Sequence, residues 1–282
     1  MEKLTEGYGL VEGPVWRKDG LLFSDASHGG AFLLRGNGDV DTVFAHRRGM
    51  GGMAEHASGG MIVSGRNISW KSEPEGETKT IFEPDSAKGM IGFNDITTDA
   101  QGRIYAGSLG SDPLDGTEQT HTGSLYMIDL AGTAHEVATD ILLTNGLGFS
   151  PDGRTLYHSD SARSHVNCYE VQADGRLGEK QVFVTAEGGA PDGLAVAEDG
   201  RVWVALAGGG GVGVYLPDGS FDHLIEIPQP MCTSVCFGGD DLKDLYIVSG
   251  SNGMDSDRAG AVYRARTDVA GLPITPARVA LP

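Results

Sequence analysis

Glu12, Asn94, Asn145 and Asp192 are the residues of this chain best placed by type and spacing to do chemistry together. Each opens a short apolar stretch: Glu12 in EGPVW, Asn94 in FNDIT, Asn145 in TNGLGF and Asp192 in PDGLAV. Singly they say little, because Asn and Asp before Gly are ordinary turn residues and a Glu before Gly-Pro can face solvent. Jointly they are two carboxylates and two amides, an all-oxygen donor set suited to a hard cation, Ca²⁺ first, with Mg²⁺ or Mn²⁺ as alternatives. No His stands at such a position, which argues against a zinc centre. A shared cation would also explain an inward-facing Glu12, since a buried carboxylate without a partner is costly.

These residues must be brought together by something periodic, and the chain is periodic. EGPVWRKDGLLFSDAS, GGMAEHASGGMIVSGRN, FNDITTDAQGRIYAGSL, TNGLGFSPDGRTLYHSDS, PDGLAVAEDGRVWVALAG and TSVCFGGDDLKDLYIVSGS share one plan. A small or polar opening leads into an apolar strand, a turn and a second apolar strand. The turns are rich in Asp-Gly and Gly-Gly, strong hairpin signals. The openings fall near Glu12, Gly52, Asn94, Asn145, Asp192 and Ser234, at intervals of 40, 42, 51, 47 and 42. Third strands (AFLLRGNG, SLYMIDLAG, VNCYEVQADG, VGVYLPDG, AVYRARTD) and fourth strands (VDTVFA, TKTIFE, AHEVAT, EKQVFVT, DHLIEI) follow. Four strands per repeat is the signature of a propeller blade. The expected fold is an all-β, six-bladed β-propeller over residues 1–282, a single domain of four-stranded blades around a central metal-containing channel. A sandwich would not explain six recurrences of one motif. The second blade is the least regular, its third strand coming from ISWKSEPEGE. Closure is expected through a terminal strand, either LTEGYGL or ARVAL. Because the innermost strand of each blade lines the channel, the four polar openings converge on one axis.

The 282 residues are enough for a sizeable core. The 44 glycines show no collagen period and fall in turns. A formal net charge of -18 argues against nucleic acid and anionic membrane surfaces as partners, and leaves a small molecule. Cys168, Cys232 and Cys236 form neither a disulfide framework nor a paired zinc motif. With no signal peptide at MEKLTEGYGL and no apolar run long enough to span a bilayer, the expected location is cytoplasmic.

EGPVW, FNDITTDAQGRIYAGS, TGSLYMID, TNGLGFSPDGRTLYHSDS, PDGLAVAEDGRVWVA and CFGGDDLKDLYIVSGSNGM together resemble the SMP-30/gluconolactonase/luciferin-regenerating-enzyme family, in family order over nearly the whole chain. The resemblance implies a six-bladed, metal-dependent hydrolase that opens a small lactone or ester. It implies one divalent cation held by Glu12, Asn145 and Asp192, with Ca²⁺ the first choice and Mg²⁺, Mn²⁺, Zn²⁺ or Fe²⁺ alternatives, and with Asn94 beside the metal or touching substrate. Asp192 is taken as the catalytic base and Glu12 as a pure ligand. Sugar-lactonase members often carry an Arg two residues before the Asn-Asp pair; this chain has Gly92. With Met90, Phe93 and Trp70 nearby as apolar wall, the expected substrate is less polar than an aldonolactone. A phosphotriesterase-like hydrolase and a non-catalytic calcium-binding propeller are the alternatives.

Other residues are weighed against plain structural roles. His158, Asp160, Arg66, Asn67 and the run Ser249 to Asn252 follow second strands and either line the pocket or simply end strands. His56 is expected at the surface. No serine sits in a nucleophile elbow, and Gly208 to Gly211 lacks the Lys and helix of a phosphate loop.

Overall fold

The computed structural model describes residues 1–73, 76–113 and 119–282. The described chain has no α-helix; its strands form six four-stranded antiparallel sheets. The first strands of the sheets are Val11–Arg17, Met53–Glu55, Gly92–Thr98, Thr144–Phe149, Ala190–Val196 and Cys232–Gly238, for blades 1 to 6. Each touches the first strand of the next blade, and blade 6 touches blade 1, so they form a closed inner ring. The six-bladed propeller read from the repeat is therefore the fold.

Six separate apolar clusters hold the ring, one in each gap between neighbouring blades. Period-2 alternation sends successive side chains of a strand to opposite faces, so Leu156 and Tyr169 of blade 4 face blade 3, while Tyr157 and Val166 face blade 5. Trp203 fills the gap between blades 5 and 6 beside Phe237, edge to face at 5.4 Å. Each fully buried large side chain of this kind contributes roughly 1.5–3 kcal/mol.

Closure uses the N-terminus. Glu2–Tyr8 is the outermost strand of blade 6 and pairs antiparallel with Gly260–Arg266. The other candidate, the segment around Ala277, runs instead beneath blades 2 and 3, where Ala277 N donates to Glu55 O and Arg278 N to Gly102 O. His56 anchors it, so this histidine is buried rather than superficial: Nε2 lies 3.0 Å from Val279 O and Nδ1 2.7 Å from Ser58 Oγ. The third strand of blade 2 is Ile68–Lys71; residues 74 and 75 of the expected segment lie outside the described ones.

Candidate metal centre

The inner strands are irregular just where the polar openings lie. In blades 1, 3, 4, 5 and 6 the pairing with the second strand slips by one residue: between Glu12 and Val15, Phe93 and Ile96, Thr144 and Leu147, Pro191 and Leu194, and Cys232 and Ser234. Each slip is a β-bulge, which leaves a residue unpaired and re-aims its side chain. Blade 2, with Gly51 and Gly52 at its opening, pairs without a slip. The blades that bulge are thus the ones with a polar residue at the channel.

The small residues beside the ligands let neighbouring blades meet. A Cβ on Gly146 would lie 2.6 Å from Asp192 O, a Cβ on Gly193 would collide with Ser234, and a Cβ on Gly51 would collide with Asn94 Oδ1. Side-chain hydrogen bonds then staple one blade to the next. Thr233 Oγ1 donates to Val11 O at 2.5 Å, Ser24 Oγ to Met50 O at 2.6 Å, Asn94 Nδ2 to Thr144 O at 2.8 Å, and Ser161 Oγ to Pro191 O at 2.5 Å.

The four expected residues do come together. Asn94 Nδ2 also donates to Asn145 Oδ1 at 2.7 Å, and Asn145 Nδ2 donates to Ser161 Oγ at 2.8 Å. This chain of bonds sets the Asn145 amide with its oxygen on the Asn94 side and one acceptor position unused. Asp192 is buried, and its Oδ1 has no hydrogen-bond partner in the protein. Glu12 keeps some surface toward the channel although it lies deep in the ring. Burial, and then the charges of Asp192 and Asp95, push the Glu12 carboxyl well above the usual range; burial and Asp95 do the same to Asp192. A buried carboxylate oxygen with no partner, facing a second carboxylate and an amide oxygen, fits a hard divalent cation. Glu12, Asn145 and Asp192 would hold it, with Asn94 orienting Asn145. No three His, Cys, Asp or Glu side chains among the described residues form a cation cluster.

Asp95 is a further carboxylate at this level, and burial pushes it up to about 7. It takes the place that glycine holds after Asn145 and Asp192, a substitution visible in Asn94-Asp95 but given no role by the motif. Asp95 borders a cavity of about 210 Å³ in the lower channel, whose floor includes Leu272 and Ile274.

Several other candidates are structural. Asp160 accepts from Leu142 N and Leu143 N and pairs with Arg163 at 2.7 Å, tying down the chain entering blade 4. Asp25 does the same in blade 1, accepting from Gly9 N and His28 N; burial would raise its carboxyl, but these donors together hold it below its ordinary value. His158 is fully buried against Thr144 Oγ1 at 2.9 Å, and burial pushes it down to about 4. Ser251 Oγ holds Tyr8 O and Gly9 O, and Asn67 is bonded to Arg47, Ser69 and Glu83. The apolar wall expected from Met90, Phe93 and Trp70 does not form at the channel. Met90 and Phe93 belong to the core between blades 2 and 3, and Trp70 packs against it while donating to Gly59 O. Burying these large side chains between the sheets outweighs placing them at a wet channel.

Residues 10–251 match the profile of the SMP-30/gluconolactonase/LRE-like region. A 6-deoxy-6-sulfogluconolactonase of Pseudomonas putida is 33% identical, the alignment covering 93% of this chain and 92% of that one. Regucalcin of Xenopus laevis is 29% identical over 93% of this chain and 92% of its own. Among solved structures, a luciferin-regenerating enzyme superposes with a TM-score of 0.88 at 23% identity, covering 99% of both chains.

Proposed function

The chain belongs to the SMP-30/gluconolactonase/LRE-like family, and from that footing we propose that it is a divalent-cation-dependent lactonase acting at the Glu12–Asn145–Asp192 centre. The observation that carries this reading is Asp192 Oδ1, buried and unpartnered at a bulge where three blades deliver oxygen donors to one place. Two relatives support the reaction class by name: the sulfogluconolactonase, and a pentonolactonase of Haloferax volcanii that is 32% identical over 64% of each chain. Regucalcin kinship and the oxygen donor set favour Ca²⁺ as the cation.

When bound, the cation supplies a Lewis acid that polarises the lactone carbonyl. The protein's own groups divide the remaining work. Glu12 supplies fixed negative charge, its carboxylate also held by the backbone N–H of Gly13. Asn94 and Ser161 keep the Asn145 oxygen turned inward. Asp192, steadied by the Gly193 N–H, takes the proton of the attacking water; burial and the nearby Asp95 charge raise its basicity for that role.

The test is Asp192→Asn, assayed on a lactone panel by acid release with Ca²⁺, Mn²⁺, Zn²⁺ or Fe²⁺ added. The wild type should open at least one lactone, and the variant should lose about 10²–10⁴-fold in kcat with its circular dichroism unchanged. A wild type inactive with every cation overturns the reading in favour of a non-catalytic cation-binding propeller.

A further inference from the structure

We propose that Arg48 and Arg66 form an anion-binding pair at the channel rim, which selects lactones carrying a negatively charged substituent such as a carboxylate, sulfonate or phosphate. The word lactone rests on the reading above; the anion pair stands on geometry of its own.

The place where Gly92 lacks a side chain is filled by neighbouring backbone. Gly65 pairs with Phe93 through Phe93 N to Gly65 O at 2.7 Å and Gly65 N to Phe93 O at 3.2 Å. A Cβ on Gly92 would lie 2.8 Å from Gly65 O and 3.6 Å from the Arg66 Cα. An arginine cannot enter at position 92 without moving this strand, but one stands immediately beside it, on the loop after Met61–Val63. Arg66 is therefore delivered to the blade 2–3 boundary two residues from Asn94.

Arg48 stands on the loop that enters blade 2, its backbone beside Gly65 and its Cγ beside Gly29 of blade 1. A Cβ on Gly65 would lie 2.9 Å from Gly49 O and 3.5 Å from Arg48 O. Gly51, three residues further on, abuts Asn94 Oδ1, and three residues span at most about 10 Å of chain. Arg47 locks the two loops together, donating to Ser64 O, Asn67 O and Asn67 Oδ1 at 2.9–3.3 Å.

Arg47 is thus consumed by structure, whereas Arg48 and Arg66 are exposed and neither side chain bonds or ion-pairs with any described residue. Glu83, whose charge acts on Arg47, accepts from Asn67. Most other arginines of this acidic chain have carboxylate partners, Arg17, Arg35, Arg163 and Arg201 among them, although Arg154, Arg258 and Arg278 have none among the described residues. Two exposed, uncompensated arginines on adjoining loops, their backbones close to the strand that carries Asn94, bring the forked donors that capture an oxyanion. A charged tail held there would leave the ring of the same molecule over Asn94.

The direct test is calorimetry on the Ca²⁺-loaded protein with gluconate, glucarate and 6-phosphogluconate, for wild type and the Arg48→Gln/Arg66→Gln double variant. Glucarate or 6-phosphogluconate, whichever charge the rim prefers, should bind wild type about tenfold or more tighter than gluconate. That advantage should shrink to under about threefold in the double variant and fade in high salt. Calcium chelation by the ligands cancels between the two proteins. Equal binding of all three acids by wild type, or an advantage intact in the double variant, overturns the anion pair. Turnover of gluconolactone with no such advantage sinks this inference alone. An advantage without turnover of any lactone leaves the pair standing and sinks the lactonase reading.

Discussion

Because the Asn145 amide donates to Ser161 Oγ and accepts from Asn94, its oxygen has one acceptor position left for a cation, and that orientation depends on a hydroxyl which is not itself a ligand. Ser161→Ala should therefore weaken cation affinity by about 10–100-fold, read by calorimetric Ca²⁺ titration, with kcat largely recovered at saturating Ca²⁺. A kcat that stays low at saturation would show that Ser161 acts otherwise. The two raised carboxyls make a second statement. A group whose folded value lies above its unfolded value of about 4 stabilises the fold below that pH and loses the contribution as pH rises through the folded value. Glu12 and Asp192 are raised by burial and by neighbouring charge. In chelator, urea stability should thus fall as pH rises above the ordinary carboxylate range, and Ca²⁺ should abolish the fall; a flat profile in chelator would contradict the shift. At this scale Asn94, Asn145 and Asp192 were legible because they share one repeat phase, inside the bulge, whereas Glu12 stands one residue earlier, paired with Ser24, so phase located it only to within a residue. Ser161 was not, because nothing in YHSDS distinguishes a serine that bonds a neighbouring blade from one that ends a strand.

At the scale of the strand, the bulge is the working unit. Where the inner strand slips register it needs a residue small enough for the next blade's backbone to pass. Gly146→Ala puts a Cβ 2.6 Å from Asp192 O and 2.7 Å from the Gly193 carbonyl carbon, both backbone. Relief would have to come from main-chain movement, so the variant should lose about 1–3 kcal/mol in urea unfolding. Its cation affinity should drop as well, since the strand displaced is the one that carries Asp192. Unchanged stability would mean that the blades are looser than their packing implies. Strand number and hairpin turns were readable from apolar alternation and Asp-Gly signals. The bulges were not, because a one-residue slip leaves the composition of a strand unaltered and is visible only once the partner strand is placed.

At the scale of the whole molecule, the ring is closed by non-covalent pairing between the two ends of the chain. Removing residues 1–8 strips blade 6 of its outer strand and exposes the Gly260–Arg266 edge, an unpaired edge of the kind that invites association. The truncated protein should melt at lower temperature, by calorimetry, and scatter light on heating; an unchanged melting temperature would show that closure lies elsewhere. The sequence left the choice between two terminal segments open, since both alternate suitably and only contact with a distant strand decides. The same ring has one blade whose inner strand, unlike the other five, carries no bulge. Blades 1, 3, 4 and 5 present Glu12, Asn94, Asn145 and Asp192, while blade 2 presents only Gly51 and Gly52 and keeps its strand in register. The wall around the channel is therefore lopsided, bare at blade 2 and donor-bearing at blades 1, 3, 4 and 5, and the fold's near six-fold symmetry does not extend to it. A ligand entering such a space meets a handed surface. Mirror-image forms of one molecule would present different edges to the bare sector, so the departure of a single blade from the common pattern gives the site the means to be stereoselective.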